Sequence, residues 1–527
     1  MTDMAPVSAN TTIQTAPPAV APSMLGAALP AWTVILAGLV AIAGLFAQSA
    51  TYLNHDVAWV LYSSERLLVG GVFGKEIVAA NPPLIWWISA VPAFLAKMFG
   101  LDPVTTFRLF AVAIAAASLI ASERLMRRSV AMLPRGLFVL TGAFLFVAGT
   151  GRDFGQREVL AVMLALPYLT AAAGRMHGNV PALAPALLIG AAAGLGIALK
   201  PYFIAVPLLI EIILAVRLRT WRIAIRPEAC AGVAVAILYA LAVVVFAHPW
   251  LTGVAPDISR VYWAFSSPLV ATLPAYSNVI FISGLLTLVV LLTRRLPVET
   301  LVLAAAAAGF LLAAIVQAKA YSYHIYPVTT CLLLALAIAI PVRAMQWRNC
   351  VVGMTLAALT ANAFGSTRAI WHRSEAGTYG AEAAALVDLV RDKVPAGGSF
   401  LAMSTHPYPS FPVANYAGRE LASDRNSRIF LPAVIRLRSG VVAPDASLEA
   451  FAEGKAHEAM RHDLALKPAL VLIDRRPVRH AIGTLPFDYL AFYLEDPAFA
   501  RAWQAYEKIS SPVDGFAVYR LREDVRP

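Results

Sequence analysis

Residues 52–84 read YLNHDVAWVLYSSERLLVGGVFGKEIVAANPPL, and they follow the first apolar run long enough to cross a membrane, 31–51. Three acids, Asp56, Glu65 and Glu76, precede the sequence Asn81-Pro82-Pro83-Leu84. Acids just beyond a membrane helix point to chemistry at the membrane face. Composition agrees with that setting, because 59% of the 527 residues are hydrophobic, against about 45–50% in soluble domains. The fold class that follows is an α-helical polytopic membrane protein.

Working outward from this stretch, a transmembrane helix needs about 20 apolar residues. The chain offers eleven such runs: 31–51, 104–122, 136–151, 157–174, 183–199, 202–216, 230–247, 277–293, 298–316, 325–342 and 350–366. Residues 1–30 carry one charge and lack the basic start and cleavage site of a signal peptide. They read as a disordered cytoplasmic tail. The three cysteines, Cys230, Cys331 and Cys350, lie in or beside apolar runs without zinc-like spacing, so neither a disulfide framework nor a metal framework is implied.

Arginines fix the orientation, since cytoplasmic loops accumulate Lys and Arg. A cytoplasmic N-terminus gathers Arg124, Arg127, Arg128, Arg135, Arg175, Arg217, Arg219, Arg222, Arg226, Arg294, Arg295, Arg343 and Arg348 on the inner side. That frame requires the sixteen residues Leu84–Phe99 to lie along the outer face without crossing. The odd number of spans then sends 370–527 outside. This region holds 19 basic and 19 acidic residues, so the 23 basic and 12 acidic residues elsewhere carry the whole net charge of +11. The basic balance thus reports topology, and nucleic acid is not an expected partner. Within the C-terminal region, helical runs at 380–394, 447–464 and 497–508 alternate with strand-like runs at Ser399–Ser404, Leu470–Ile473 and Gly515–Leu521. The expected domains are therefore the tail 1–30, a membrane domain 31–369 and a small extracytoplasmic α/β domain 370–527, in which nothing reads as catalytic.

In this frame the outer loops carry His55, Asp56, Glu65, Arg66, Lys75, Glu76, Arg108, Arg152, Asp153, Arg157, Glu158, Lys200, Asp257, Arg260, Lys319 and His324. A charged group costs about 2.5–3.5 kcal/mol at a bilayer centre on insertion scales, so a mixed set predicts an aqueous cavity or mutual pairing. A cavity of carboxylates and cations suits transfer from an anionic lipid to an acceptor.

The order and sidedness of these motifs resemble the GT-C superfamily of membrane glycosyltransferases. The likeness is greatest to the branch with the lipid A aminoarabinose and galacturonic acid transferases and the protein O-mannosyltransferases. The resemblance rests on His55-Asp56, on Asn81 to Leu84, and on Gly151-Arg152-Asp153-Phe154-Gly155-Gln156-Arg157-Glu158. Lys200-Pro201 and Tyr323-His324-Ile325-Tyr326-Pro327 complete it. It departs in two places: Asn81 stands where many relatives have a cation, and Asp56 is a lone acid beside His55. The second departure argues against a divalent metal, and no other cofactor is implied.

The resemblance implies a polyprenyl-phosphate-linked sugar donor and inverting transfer to an envelope acceptor (lipid A, glycan, lipid or protein) at the outer face of a bacterial inner membrane. Inversion needs a base for the acceptor's hydroxyl proton, and Asp56 suits it. Asp153 and Glu158 are further catalytic candidates. The lipid phosphate leaves with growing charge, which cations stabilise; His55, Arg152, Arg157, Lys200, Lys319, Tyr323 and His324 are the candidates for that contact.

Each residue also has a structural reading. Asp56 can cap the helix that follows it, Asp153 and Arg157 can pair at i,i+4, and Lys200 can snorkel to the interface. His324 can belong to an aromatic belt with Tyr321, Tyr323 and Tyr326. Glu65 and Glu76 read as solvated helix faces, and Glu211 as a helix-pairing residue. Two other functions fit the composition: a transporter, which would place charges at the bilayer midplane in two related halves, and an envelope assembly protein with no need of Asp56.

Overall fold

The computed structural model describes residues 25–319, 321–340 and 348–523, so most of the expected tail 1–30 lies outside the described residues. Among the described residues, fifteen helices build the membrane domain. They are α1 (Ala31–Ser49), α2 (His55–Leu68), α3 (Leu84–Phe99), α4 (Pro103–Met126), α5 (Met132–Phe146), α6 (Arg157–Met176), α7 (Leu183–Ala198) and α8 (Ala205–Leu218). There follow α9 (Pro227–Phe246), the short α10 (Ala255–Val261) and α11 (Leu269–Thr272), α12 (Ser277–Thr293), α13 (Val298–Gln317), α14 (Ser322–Ala339) and α15 (Arg348–Arg373).

Among the described residues, eight segments are long and apolar enough to cross a membrane: α1, α4, α6, α9, α13, α14, the stretch Pro201–Leu218 containing α8, and Leu269–Thr293 containing α11 and α12. Two expected spans, 136–151 and 183–199, are shorter helices of 15 and 16 residues. The expected span 350–366 falls within α15, whose side chains are described only in part. Helices α6 and α14 are 83% buried in their apolar windows and form the centre, whereas α9, at 6%, lies almost wholly on the outside of the bundle.

Local sequence explains where the elements begin. Asp102 caps α4 by accepting from the Thr105 N–H at 2.7 Å, and Pro103 takes the first helical position, where its missing donor costs nothing. Helix α3 ends on Gly100 in the left-handed region, as a C-terminal glycine does. Buried charges away from the loops are paired. Arg135 meets Glu123 at 2.5 Å, Arg175 meets Glu228 at 2.8 Å, and Glu211 accepts from Tyr168 and pairs with Arg226. Glu211 therefore ties helices together.

Beyond α15, a further helix, α16 (Thr378–Lys393), leads into an α/β domain. Its strands are β1 (Ser399–Met403), β2 (Glu420–Leu421), β3 (Leu470–Asp474), β4 (Tyr506–Ile509) and β5 (Phe516–Leu521), in the order β2-β1-β3-β5-β4. β1 runs parallel to both β2 and β3, with Phe400 opposite Leu470, while β5 is antiparallel to β3 and β4. Every residue of β3 is buried, which is the continuous apolar reading of a central strand. The helix α19 (Ala446–Ala465) follows two short helices, α17 (Ser410–Ala417) and α18 (Leu431–Arg438).

The two domains are joined along α2. Eight consecutive residues, Val57 to Ser64, are buried, so this helix has no solvent stripe. The Tyr62 hydroxyl donates to Glu420 at 2.6 Å and accepts from the Leu421 N–H at 2.9 Å. Arg66 donates to the Leu421 and Ser423 carbonyls at 3.0 and 3.2 Å, and the Asn415 amide donates to the Ala58 carbonyl at 3.1 Å. Phe411 packs against the rings of Trp59 and Tyr62. A second seam forms where Lys455 meets Asp257 at 2.9 Å and the Val78 N–H reaches the Asp424 carbonyl.

Candidate active site

The start of α2 decides the site. Asn54, not Asp56, caps the helix: its side-chain oxygen accepts from the Asp56 N–H at 3.0 Å and from the Gln156 amide at 3.0 Å. The Asn54 amide in turn donates to the Arg152 carbonyl at 3.2 Å. One asparagine thus stitches the first loop to the second. The carboxylate of Asp56 is left free of capping duty and 23% exposed, into a cavity of about 820 Å³.

Residues 151–158 reach this place because of a glycine. Gly155 sits at φ +76°, and a Cβ there would come within 2.5 Å of the Phe107 ring, so no other residue lets the loop pass so close. The chain becomes helical only at Arg157. Asp153 and Arg157 are consequently not on one helical turn, and the expected i,i+4 pair does not form. Asp153 lies 3.9 Å from Arg152, whose guanidinium donates to the Ser322 hydroxyl at 2.9 Å.

The cavity brings together His55, Asp56, Arg152, Asp153, Arg157, Lys200, Lys319, Tyr323 and His324, which stand on five separate segments, and Asn81 and Pro82 line it as well. Glu158 stands behind this wall, fully buried, 2.5 Å from the Lys200 ammonium. Lys200 also donates to Gln317 at 2.8 Å and lies 3.1 Å from His324 Nε2. It is therefore an interior ion-pair residue and does not snorkel. Lys319 lies over the Tyr262 ring, 3.4 Å from its centroid, a cation–π seat. Among the described residues neither Lys319 nor Arg157 has a carboxylate partner, and Arg157 Nη1 is buried with no hydrogen bond.

Several expected loop residues outside the cavity have structural roles. Arg66 serves the domain seam, Arg108 donates to the Thr51 carbonyl, and Arg260 stacks on Phe451. Glu76 accepts from the Val72 N–H at 2.7 Å. Burial, followed by the charge of Glu420, pushes the Glu65 carboxyl up to about 7.

Electrostatics separates the site's groups. Burial pushes the Asp56 carboxyl up, but the His55 ring, the Arg157 cation and the Gln156 amide together hold it below its ordinary value. Burial, only partly opposed by Arg152 and Ser322, raises Asp153 to about 6. Burial also lowers Lys200 to about 8 against the pull of Glu158, and lowers Lys319, next to the charges of Lys200 and Arg157, to about 7. An ionised carboxylate and two tunable cations share one cavity, as acid–base and anion chemistry require.

Sequence reasoning missed Asn54, Arg373, Thr405, His406 and His480, all of which line the cavity. The last three come from the α/β domain, where no catalytic residue was expected. His406 packs on His55 at 4.2 Å between ring centroids and on His480 at 5.0 Å, and His480 Nε2 lies 3.3 Å from the Tyr321 hydroxyl. Burial sets the pKa of all three imidazoles low, His55 and His480 at about 4. Two groups elsewhere have metal-like spacing, Asp424-His462-Asp463 and Glu453-His457-Glu495. Arginines already occupy their carboxylates: Arg428 pairs with Asp463 at 2.5 Å, and Arg438 with Glu453 and Glu495 at 3.0 and 3.3 Å.

No protein-family model matches the sequence, and no curated protein matches it by sequence. Solved structures do match by fold. ArnT from Cupriavidus metallidurans bound to undecaprenyl phosphate superposes with a TM-score of 0.59 over 94% of this chain and 99% of its own, at 14% identity. The same protein in the apo state gives 0.54 over 93% and 97%, also at 14% identity. The chain therefore shares the overall fold of these ArnT structures.

Proposed function

We propose that this chain is a membrane glycosyltransferase that moves a hexosyl or pentosyl group from a polyprenyl-phosphate-sugar to an acceptor of the cell envelope, with inversion. It acts at the outer face of a bacterial inner membrane, with the N-terminus cytoplasmic and residues 370–527 periplasmic. The reading is supported by one observation above others: the cavity holds an ionised carboxylate, Asp56, that caps no helix, together with two cations, Arg157 and Lys319, that lack carboxylate partners among the described residues. The ArnT structure binds undecaprenyl phosphate, and a lipid phosphate is the ligand such cations suit.

The chemistry follows from that arrangement. The acceptor oxygen attacks the anomeric carbon from the face opposite the phosphate, and its proton passes to an Asp56 carboxylate oxygen. The bond from the anomeric carbon to the phosphate oxygen breaks, and its electron pair stays with the phosphate. Arg157 and Lys319 neutralise the charge that grows there, and Lys200, Arg152 and His324 hold the surrounding wall.

The test is comparative mass spectrometry of envelope lipids and glycans from cells with the gene intact, deleted, or carrying Asp56→Asn at matched protein level. Loss of one sugar mass in both altered strains is expected. An unchanged glycoconjugate profile in the deletion strain would refute glycosyl transfer and favour transport or assembly.

A further inference from the structure

We infer that the α/β domain forms the acceptor subsite of this transferase, and that the acceptor is an uncharged sugar residue attacking through a carbon-bound hydroxyl rather than a phosphate. The inference rests on the glycosyltransferase reading and concerns its second substrate.

Charge is the first argument. Five cations, Arg152, Arg157, Lys200, Lys319 and Arg373, line the cavity, against the carboxylates of Asp56 and Asp153 and that of Glu158 on Lys200. The excess is two positive charges. A polyprenyl-phosphate-sugar brings one negative charge, and its phosphate leaves with two, so the donor alone consumes the excess. A phosphate on the acceptor would add further negative charge beside Asp56 with no cation left for it, and like charges at close quarters are costly. A phosphate oxygen, moreover, is already an anion and needs no base, whereas a sugar hydroxyl does.

Polarity is the second argument. The cations stand on the membrane domain and on Arg373 at the end of α15, whereas the facing wall is neutral. That wall is built at the carboxyl ends of the adjacent parallel strands β1 and β3, the usual place for a ligand on such a sheet. The loop after β1 carries Thr405 and His406, and the segment after β3 carries His480. The Thr405 hydroxyl donates to the His480 carbonyl at 2.8 Å, which locks the two together. His406 Nδ1 accepts from the Tyr408 N–H at 3.1 Å, so the neutral ring keeps its proton on Nε2 as a donor.

Aromatic rings complete the surface. Phe265 lies 5.9 Å and Tyr321 5.8 Å from the His480 ring, and Trp263 lines the same cavity. Aromatic faces carry negative charge density and attract the weakly positive C–H groups on the flat side of a sugar ring. Neutral donors and acceptors around them satisfy its hydroxyls. The chemistry of this wall is that of a carbohydrate site.

The experiment uses the envelope glycan isolated from the deletion strain as unmodified acceptor, and membranes of cells making the full chain as enzyme and donor. Linkage analysis and phosphorus NMR of the product are expected to show a new glycosidic bond to a carbon-bound oxygen. His480→Ala is expected to raise the KM for this glycan about 5- to 10-fold, the size of one lost neutral hydrogen bond, with binding of undecaprenyl phosphate unchanged. Should His480→Ala fail to fold, Asn426→Ala, on a lining loop, is expected to show the same split. A sugar found on phosphate or on nitrogen overturns the inference and leaves the transferase reading standing. Unaltered acceptor KM in both folded variants overturns the subsite. If deletion removes no sugar, the transferase reading falls and this inference with it.

Discussion

The Lys200 ammonium lies 2.5 Å from the Glu158 carboxylate, with side-chain exposures of 7% and 0%. Either charge, left without the other, has little water to turn to. Glu158→Gln is therefore expected to destabilise the protein by about 3–5 kcal/mol, the cost of stranding one buried charge. Thermal unfolding in lipid nanodiscs measures it, and the double change Glu158→Gln with Lys200→Met should recover much of the loss.

Asp56→Asn is expected to lower turnover by about 10²- to 10⁴-fold, the usual range for a general base. Melting temperature and polyprenyl phosphate binding should stay near normal, because Asn54 performs the capping. A variant that turns over at the parent rate would remove Asp56 from the reaction.

Asn54→Ala separates positioning from chemistry. Loss of the cap costs about 1 kcal/mol and also breaks the links to Gln156 and to the Arg152 carbonyl. We expect a modest drop in stability with a larger fall in kcat, and no change in the lower limb of the pH profile. A fall in stability alone would reduce Asn54 to a helix cap.

The pH profile has a defined sign. Lys319 is charged below its lowered value of about 7 and neutral above it, so kcat/KM should decline as pH rises through about 7 to 8. Asp56 lies below its ordinary value and limits the rate only in strong acid. Lys319→Arg, which stays charged throughout, should move the alkaline decline up toward the Lys200 value of about 8; a profile identical to the parent's would assign that limb elsewhere.

The membrane fold was legible because its signals are local. Apolar length marked the spans, and the bounds of α3, β1, β3 and β5 follow directly from period and turn residues. The run 497–508 reads as one helix, yet it divides into a helix ending at Trp503 and the edge strand β4. Pairing of Tyr506 to Ile509 with β5 decides that, and no local pattern contains it. Most predicted site residues do converge on the cavity, since sidedness already grouped them. Their partners were less visible: the Asp153–Arg157 pair fails because Gly155 delays the helix, and His406 and His480 matter only through a packing of domains that sequence period does not encode.

The seam along α2 makes the cavity a joint product of two regions far apart in the sequence. Asp56 stands on one side of it, and the wall opposite includes His480 of the α/β domain. Without the α/β domain, Trp59 and Tyr62 have no Phe411 platform and the cavity has no second side. The chamber around Asp56 is thus a property of the whole folded chain, and neither region possesses it alone.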